Sequence, residues 1–387
     1  MKNFHIYLKN LINSKNFNDF PIYFQKRIIY AERQLTTKVV KDRTIQTPSF
    51  LNDLGVRYFT DPKYIYHYLN EKGFLYFVNL NDIKEDIKEL DIQYLGLYID
   101  AYFLVTGDYK TPYEEIKDRI DELDKIKNHK QLIFIASLFA ALQDDTCENI
   151  FHLAYKVADN IEDKVATIHR ISAYTIKRKS DSNTENILNI QNLYNEIRSI
   201  ENEGSKQIYT ALANNLLALL ITQSGISDMN ILTIKSLLQN GVTLIDTQIN
   251  GNNFAVSQKL LDQSKRYRGQ IQINYAQLLL AKKEYFEAKV LLEENLSFTQ
   301  KYATDYVPEA LALYAQSLYL NKEYTQSLIY AKDATTKNIE IGAFTAAKNI
   351  HKIVISSLTK LGNIQEAEEE LKKYNKLGER IEKYTES

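Results

Sequence analysis

The chain has 387 residues, 44% of them hydrophobic and 25% charged, with a net charge of −1 and only 12 Gly and 5 Pro. That length holds two or three domains or one extended repeat array, and so few helix breakers allow long uninterrupted helices. Near-neutrality argues against wholesale binding to nucleic acid or an anionic membrane, and the single cysteine, Cys147, excludes an intrachain disulfide and fits a reducing compartment.

Charge is unevenly placed. Residues 1–60 carry ten Lys/Arg against four Asp/Glu, which makes the N-terminal part the candidate for a polyanion. A solvated basic face accounts for the same excess. The N-terminal stretch lacks the apolar run of a signal peptide. The most apolar run, Leu132 to Leu142, has eleven positions, short of the roughly 18 that span a bilayer, so it is expected to be a buried helix.

In chain order, the first forty residues read as polar and aromatic helices, the second opened by Pro21. Thr47 and Pro48 are N-cap and first-turn signals for a short helix that Gly55 stops, and Asp61, Pro62 and Gly73 bracket another. On this second helix Lys63, Tyr66, His67 and Asn70 share one face at i, i+3, i+4 and i+7, opposite Tyr64, Ile65, Tyr68 and Leu69. Helix, turn and helix with a polar face match what a DNA-reading helix-turn-helix requires, with Lys38, Lys41, Arg43 and Arg57 placed for phosphates. A plain helical hairpin that caps the array fits the same pattern.

Helical hairpins recur from about Asp82. Gly107-Asp108-Tyr109 marks a turn, Thr111 caps the helix that Pro112 starts, and further helices are expected at 132–142, 149–160 and 164–178. The polar loop Ser180–Thr184 is the best internal hinge. Helices near 185–200, 206–222 and 230–248 lead to the turn at Asn250–Asn253. The organisation read from this pattern is an N-terminal helical module over 1–85, degenerate helical repeats over 86–180, and a repeat region over 181–387, regular from about 267 to 377, closed by C-terminal helices.

The regular part repeats visibly. Tyr275-Ala276 with Tyr285 and Ala288 returns as Tyr314-Ala315 with Tyr324 and Ser327, then as Val354-Ile355 with Ile364 and Ala367, at offsets of 39 and 40 residues. Such a period is two helices and two connections. These copies resemble tetratricopeptide repeats of the longer kind. The resemblance implies an all-α protein, a right-handed α-solenoid whose first helices line a concave face. Counting from the turns places Gln270, Gln277, Leu280, Glu309, Gln316, Tyr319, Asn349, Lys352 and Ser356 on that face, with Asn274 close by and Asn214 and Asn215 in similar places one unit earlier. Amides on such a wall offer donors and acceptors to the backbone of an extended peptide. The last helix, with Ala367, Leu371, Tyr374 and Leu377 along one side, closes the array or pairs with a second copy.

An N-terminal helix-turn-helix candidate followed by such hairpins to the C-terminus resembles the quorum-sensing peptide receptors of Gram-positive bacteria and their phages. The stretch 54–73 is most similar to the arbitrium receptor branch. The resemblance implies a cytoplasmic, dimeric regulator that binds a short peptide in its groove and double-stranded DNA through its N-terminal module. A non-enzymatic tetratricopeptide adaptor remains the alternative. Catalysis and cofactors are not expected. The six histidines include no i, i+3 or i, i+4 pair, Cys147 sits among Asp144, Asp145 and Glu148, and neither a phosphate-binding glycine loop nor a nucleophile elbow occurs.

Overall fold

The computed structural model describes residues 2–20, 22–36, 71–72, 80–106, 108, 110–178, 183–225, 227–251 and 255–385. Among them all regular structure is helical, in seventeen α-helices and a few 3-10 turns. No described helix is long and apolar enough to cross a membrane. The chain forms two compact units that divide at residues 171 and 172, inside the helix Ile161–Arg178; the segment Glu340–Ala343 groups with the first.

In the first unit, α1 (Lys2–Ile12) buries Phe4, Tyr7, Leu8 and Leu11, and α2 (Ile22–Thr36) buries Phe24, Ile28, Ala31 and Leu35. Both are single apolar stripes at helical spacing. After α3 (Leu80–Glu89), α4 (Leu95–Thr106) is buried on nearly every side, and so is α6 (His129–Ala141), which follows α5 (Lys110–Lys117). The apolar run from Leu132 is therefore a core helix. Gly96 lets α4 approach α6, since a Cβ there would lie 2.5 Å from the Gln131 carbonyl oxygen. Asp86 is buried but satisfied, accepting from the Phe4 N–H and the Tyr98 hydroxyl, each at 3.2 Å. Burial, reinforced by that carboxylate, pushes the Tyr98 phenol well above its ordinary pKa. α7 (Thr146–Lys156) buries Cys147, and α8 (Ile161–Arg178) follows.

The second unit continues with α9 (Asn183–Arg198), α10 (Glu203–Gln223), α11 (Asp228–Asn250), α12 (Gln258–Ala281), α13 (Tyr285–Tyr302), α14 (Val307–Leu320), α15 (Tyr324–Glu340), α16 (Phe344–Lys360) and α17 (Ile364–Thr385). Three-residue turns join α12 to α13, α14 to α15 and α16 to α17, which forces each pair into an antiparallel hairpin. The turns share one geometry. Lys283, Lys322 and Gly362 adopt left-handed φ values of 64°, 66° and 80°, and the next N–H returns to the carbonyl five residues back at 2.9, 2.9 and 3.0 Å. This is the Schellman closure of a helix C-terminus. Gln143, with φ 60°, closes α6 in the same way.

Small residues set the packing inside a hairpin. Ala276, Ala288, Ala315, Ala331 and Ala367 are buried in one continuous core or beside it, and the Ser327 hydroxyl donates to the Ala315 carbonyl at 2.9 Å. Three ion pairs, Lys235–Glu284, Lys289–Glu323 and Lys332–Glu366, run from the second helix of a hairpin to the next turn or the helix start beyond it. Being partly exposed, each contributes about 0–1 kcal/mol. First helices of successive hairpins also touch, α10 with α12 and α14 with α16.

Candidate functional site

Three successive helices of the second unit start on side-chain caps. Asn202 caps α10 by accepting from Ser205 N, Ser227 caps α11 through Asn230 N, and Ser257 caps α12 through Leu260 N. Apolar Ile234, Leu238 and Ile245 of α11 pack on Ala211 and Ala218 of α10 and on Ile271 and Leu278 of α12. Gly241 permits this closeness, because an added Cβ would sit 3.3 Å from the Ala211 carbonyl oxygen.

With their apolar sides committed to that core, α10 and α12 turn amides toward each other. On α12, Arg266, Gln270 and Asn274 recur every fourth residue and so form one row. Arg266 Nη2 donates to Gln270 Oε1 at 3.0 Å, Gln270 Nε2 to Asn274 Oδ1 at 3.0 Å, and Asn274 Nδ2 to Asn215 Oδ1 of α10 at 2.8 Å. The row is anchored by a buried ion pair, Arg266 Nη2 to Glu309 Oε2 at 3.1 Å, and the guanidinium stacks 4.0 Å from the Tyr306 ring centre. Asn214 belongs to a separate bridge: it accepts from the Tyr194 hydroxyl at 2.7 Å and donates to Asn240 at 2.9 Å. Burial pushes the Tyr194 phenol up to about 12, so it remains a donor at any ordinary pH.

Directly beside the Asn215–Asn274 contact lies a pocket of about 130 Å³. Ala218, Leu219, Ile234, Leu238 and Leu278 give it an apolar lining, and Asn274 and Gln277 add amide groups. On α10, Ala218 and Leu219 follow Asn215 by one helical turn, which places the amide and the pocket on one face. A space of this size resembles the engineered cavity of about 150 Å³ that accepts benzene, so it matches one aliphatic side chain and is too small for a drug-sized ligand.

A second polar row on α12 faces elsewhere. Arg268 holds Asp246 at 2.6 and 3.0 Å and Glu294 at 2.7 Å, with its guanidinium 4.1 Å from the Phe298 ring centre. Burial opposes its charge, but the two carboxylates outweigh burial and hold its pKa above the usual value. This cluster ties α11, α12 and α13 together and leaves the arginine side chain only 5% exposed.

The sequence-derived residues are distributed as follows. Asn215, Gln270 and Asn274 meet in one hydrogen-bonded row, Asn214 stands beside Asn215 in its own bridge, and Gln277 is exposed at the pocket. Gln316 is exposed on α14, and Tyr319 packs against Tyr324 with ring centres 5.4 Å apart. Asn349 and Lys352 are exposed on α16, 3.5 Å from each other. Among the described residues no hydrogen bond joins these four to the amide row. Lys38, Lys41, Arg43, Arg57, Lys63, Tyr66, His67 and Asn70 lie outside the described residues. Sequence reasoning did not single out Arg266, Asn240 or the pocket. The fourfold spacing of Arg266, Gln270 and Asn274 was a usable signal, whereas Asn240 and Leu238 enter through a neighbouring helix.

Among the described residues no group of three or more His, Cys, Asp or Glu is placed to hold a metal ion. The chain matches no protein-family model and no curated protein.

Proposed function

We propose that this chain is a peptide-sensing regulator, built as a right-handed α-solenoid of tetratricopeptide-like hairpins, that binds a short extended peptide along the first helices of its second unit. The observation that carries this reading is the amide row ending at Asn215, set against a pocket sized for one apolar side chain. Main-chain groups of a peptide need fixed hydrogen-bond partners, and its side chains need apolar recesses; the two occur side by side here. The basic N-terminal residues supply the output, contact with double-stranded DNA in the cytoplasm, and the C-terminal helices pair two copies.

The test is thermal shift of the full chain with pooled short peptides encoded by neighbouring reading frames. A peptide at about 100 times its dissociation constant adds about 2.7 kcal/mol to stability. A match that raises the melting temperature, and loses that effect in Asn274→Ala, supports the reading. Silence from every pool would favour the adaptor alternative, in which the partner is a folded protein. Duplex affinity that falls steeply with salt tests the DNA arm.

A further inference from the structure

The amide row has a direction. Arginine offers only N–H donors, so the Gln270 atom that meets Arg266 at 3.0 Å is its carbonyl oxygen. Gln270 is then obliged to donate to Asn274, and Asn274 to donate to Asn215. Once the first amide is oriented, each of the others has one orientation left. The last, Asn215, has its oxygen occupied and keeps an Nδ2 donor with no protein partner among the described residues. Glu309 cancels the charge of Arg266 at 3.1 Å, so the row delivers a donor without delivering net charge. A neutral acceptor suits it better than a carboxylate. The adjoining pocket of about 130 Å³, walled mainly by Ala218, Leu219, Ile234, Leu238 and Leu278 with Thr222, Asn274 and Gln277 at its polar side, has room for one branched aliphatic side chain against its apolar wall.

We infer that Arg266 is a positioning residue. It fixes the sense of the amide row so that Asn215 presents a donor to the main-chain carbonyl of a peptide residue whose leucine-sized side chain fills the neighbouring pocket. This rests on the peptide-receptor reading above and names the residue type that receptor selects. The relay acts at a distance: Arg266 touches no ligand, and its effect arrives through two intervening amides.

The probe is N-acetyl-leucine N-methylamide, titrated into full-length, methyl-labelled protein and followed by NMR. Methyl resonances of Leu219, Ile234 and Leu238 are expected to move together with the Asn215 side-chain NH2. The double variant Arg266→Met with Glu309→Met removes the ion pair as a unit and so leaves no lone buried carboxylate. In it the methyl shifts persist, the Asn215 NH2 no longer responds, and affinity falls about fivefold, the loss expected for one neutral hydrogen bond. Should that variant fail to fold, Asn215→Ala, with Arg266 intact, is expected to show the same fivefold loss. N-acetyl-glycine N-methylamide is expected to leave the methyl groups unmoved. An unchanged Asn215 response in the double variant, or full affinity in Asn215→Ala, overturns the relay. Tighter binding of N-acetyl-leucine as its free acid overturns the assignment to a neutral carbonyl. A pooled peptide that binds wild type and double variant equally overturns the relay while the receptor reading stands. If no pooled peptide binds and the capped leucine still seats, the receptor reading fails and the pocket assignment survives.

Discussion

The three equivalent hairpin turns form an internal experiment on backbone strain. Lys283 and Lys322 occupy left-handed conformations at φ 64° and 66°, whereas the matching position of the last hairpin is Gly362 at φ 80°. For a residue with a Cβ this conformation costs about 1–2 kcal/mol. Glycine removes that cost but loses more freedom on folding, by about 0.4–1 kcal/mol, so Lys283→Gly or Lys322→Gly should each stabilise by about 0.5–1 kcal/mol. The reverse change, Gly362→Ala, is a clean control because an added Cβ would meet nothing within 4 Å, leaving backbone strain as its only cost. Thermal unfolding followed by far-UV circular dichroism is the assay. The Lys283→Gly, Lys322→Gly pair should raise Tm by about 2–8 °C and Gly362→Ala should lower it, on a scale of about 2–4 °C per kcal/mol for domains of this size. A lower Tm for the pair, or a higher one for Gly362→Ala, would refute the assignment of strain to these turns.

Other expectations follow from close contacts and charge. Gly96→Ala puts a Cβ 2.5 Å from the Gln131 carbonyl oxygen and 2.8 Å from its Cα, both backbone atoms that cannot swing aside. It should destabilise by about 1–3 kcal/mol in urea unfolding. Gly241→Ala, at 3.3 Å, should come out near neutral, because helix propensity of about 1 kcal/mol offsets the crowding. Arg268→Met strands Asp246 and Glu294, which are 32% and 56% exposed, so water limits the loss to about 2 kcal/mol, below the 3–5 of a fully buried pair. Glu294→Gln should cost under about 1 kcal/mol, and equal losses for the two variants would contradict this ranking. Burial of Glu370 opposes its charge, but Lys373, His351 and Lys332 outweigh it and hold its carboxyl below the usual range. A depressed carboxylate stabilises the fold above its unfolded pKa of about 4.3, and that contribution is lost as pH falls through the folded value. Stability of wild type should therefore drop more steeply below about pH 4.3 than that of Glu370→Gln, and parallel curves would show that Glu370 contributes nothing.

Much of the helical framework could be read directly from the chain. The 39- and 40-residue offsets locate three hairpins, and the structure places their turns at Lys283, Lys322 and Gly362. Helix period and turn position are local properties, fixed by residues a few places apart, so the pattern of Tyr275, Ala276 and Tyr285 suffices to find them. Counting from the same turns put Gln270 on the groove face with Asn274 close by, and Asn215 in a similar place one unit earlier, because helical period fixes which residues share a face whatever that face meets. Left-handed lysines were not legible, since glycine is the residue that advertises such a turn and only the third copy has it.

Contacts between distant residues were decided by tertiary structure. Asn274 meets Asn215 across 59 residues of chain, and Arg266 meets Glu309 across 43. No local pattern encodes these distances, which depend on how closely the helices approach one another: α10 and α12 around α11, where Gly241 meets Ala211 and Ile271, and α12 and α14 in the core that Ala276 shares with Ala310 and Leu311. The pocket has the same origin, being the space left where Leu219, Ile234, Leu238 and Leu278 of three helices fail to fill the gap. The sequence by itself determined where the helices run and which faces carry amides. Only the folded unit decided which amides bond to each other, in which direction, and beside what cavity, because interhelical distance follows from the packing of side chains far apart in the chain.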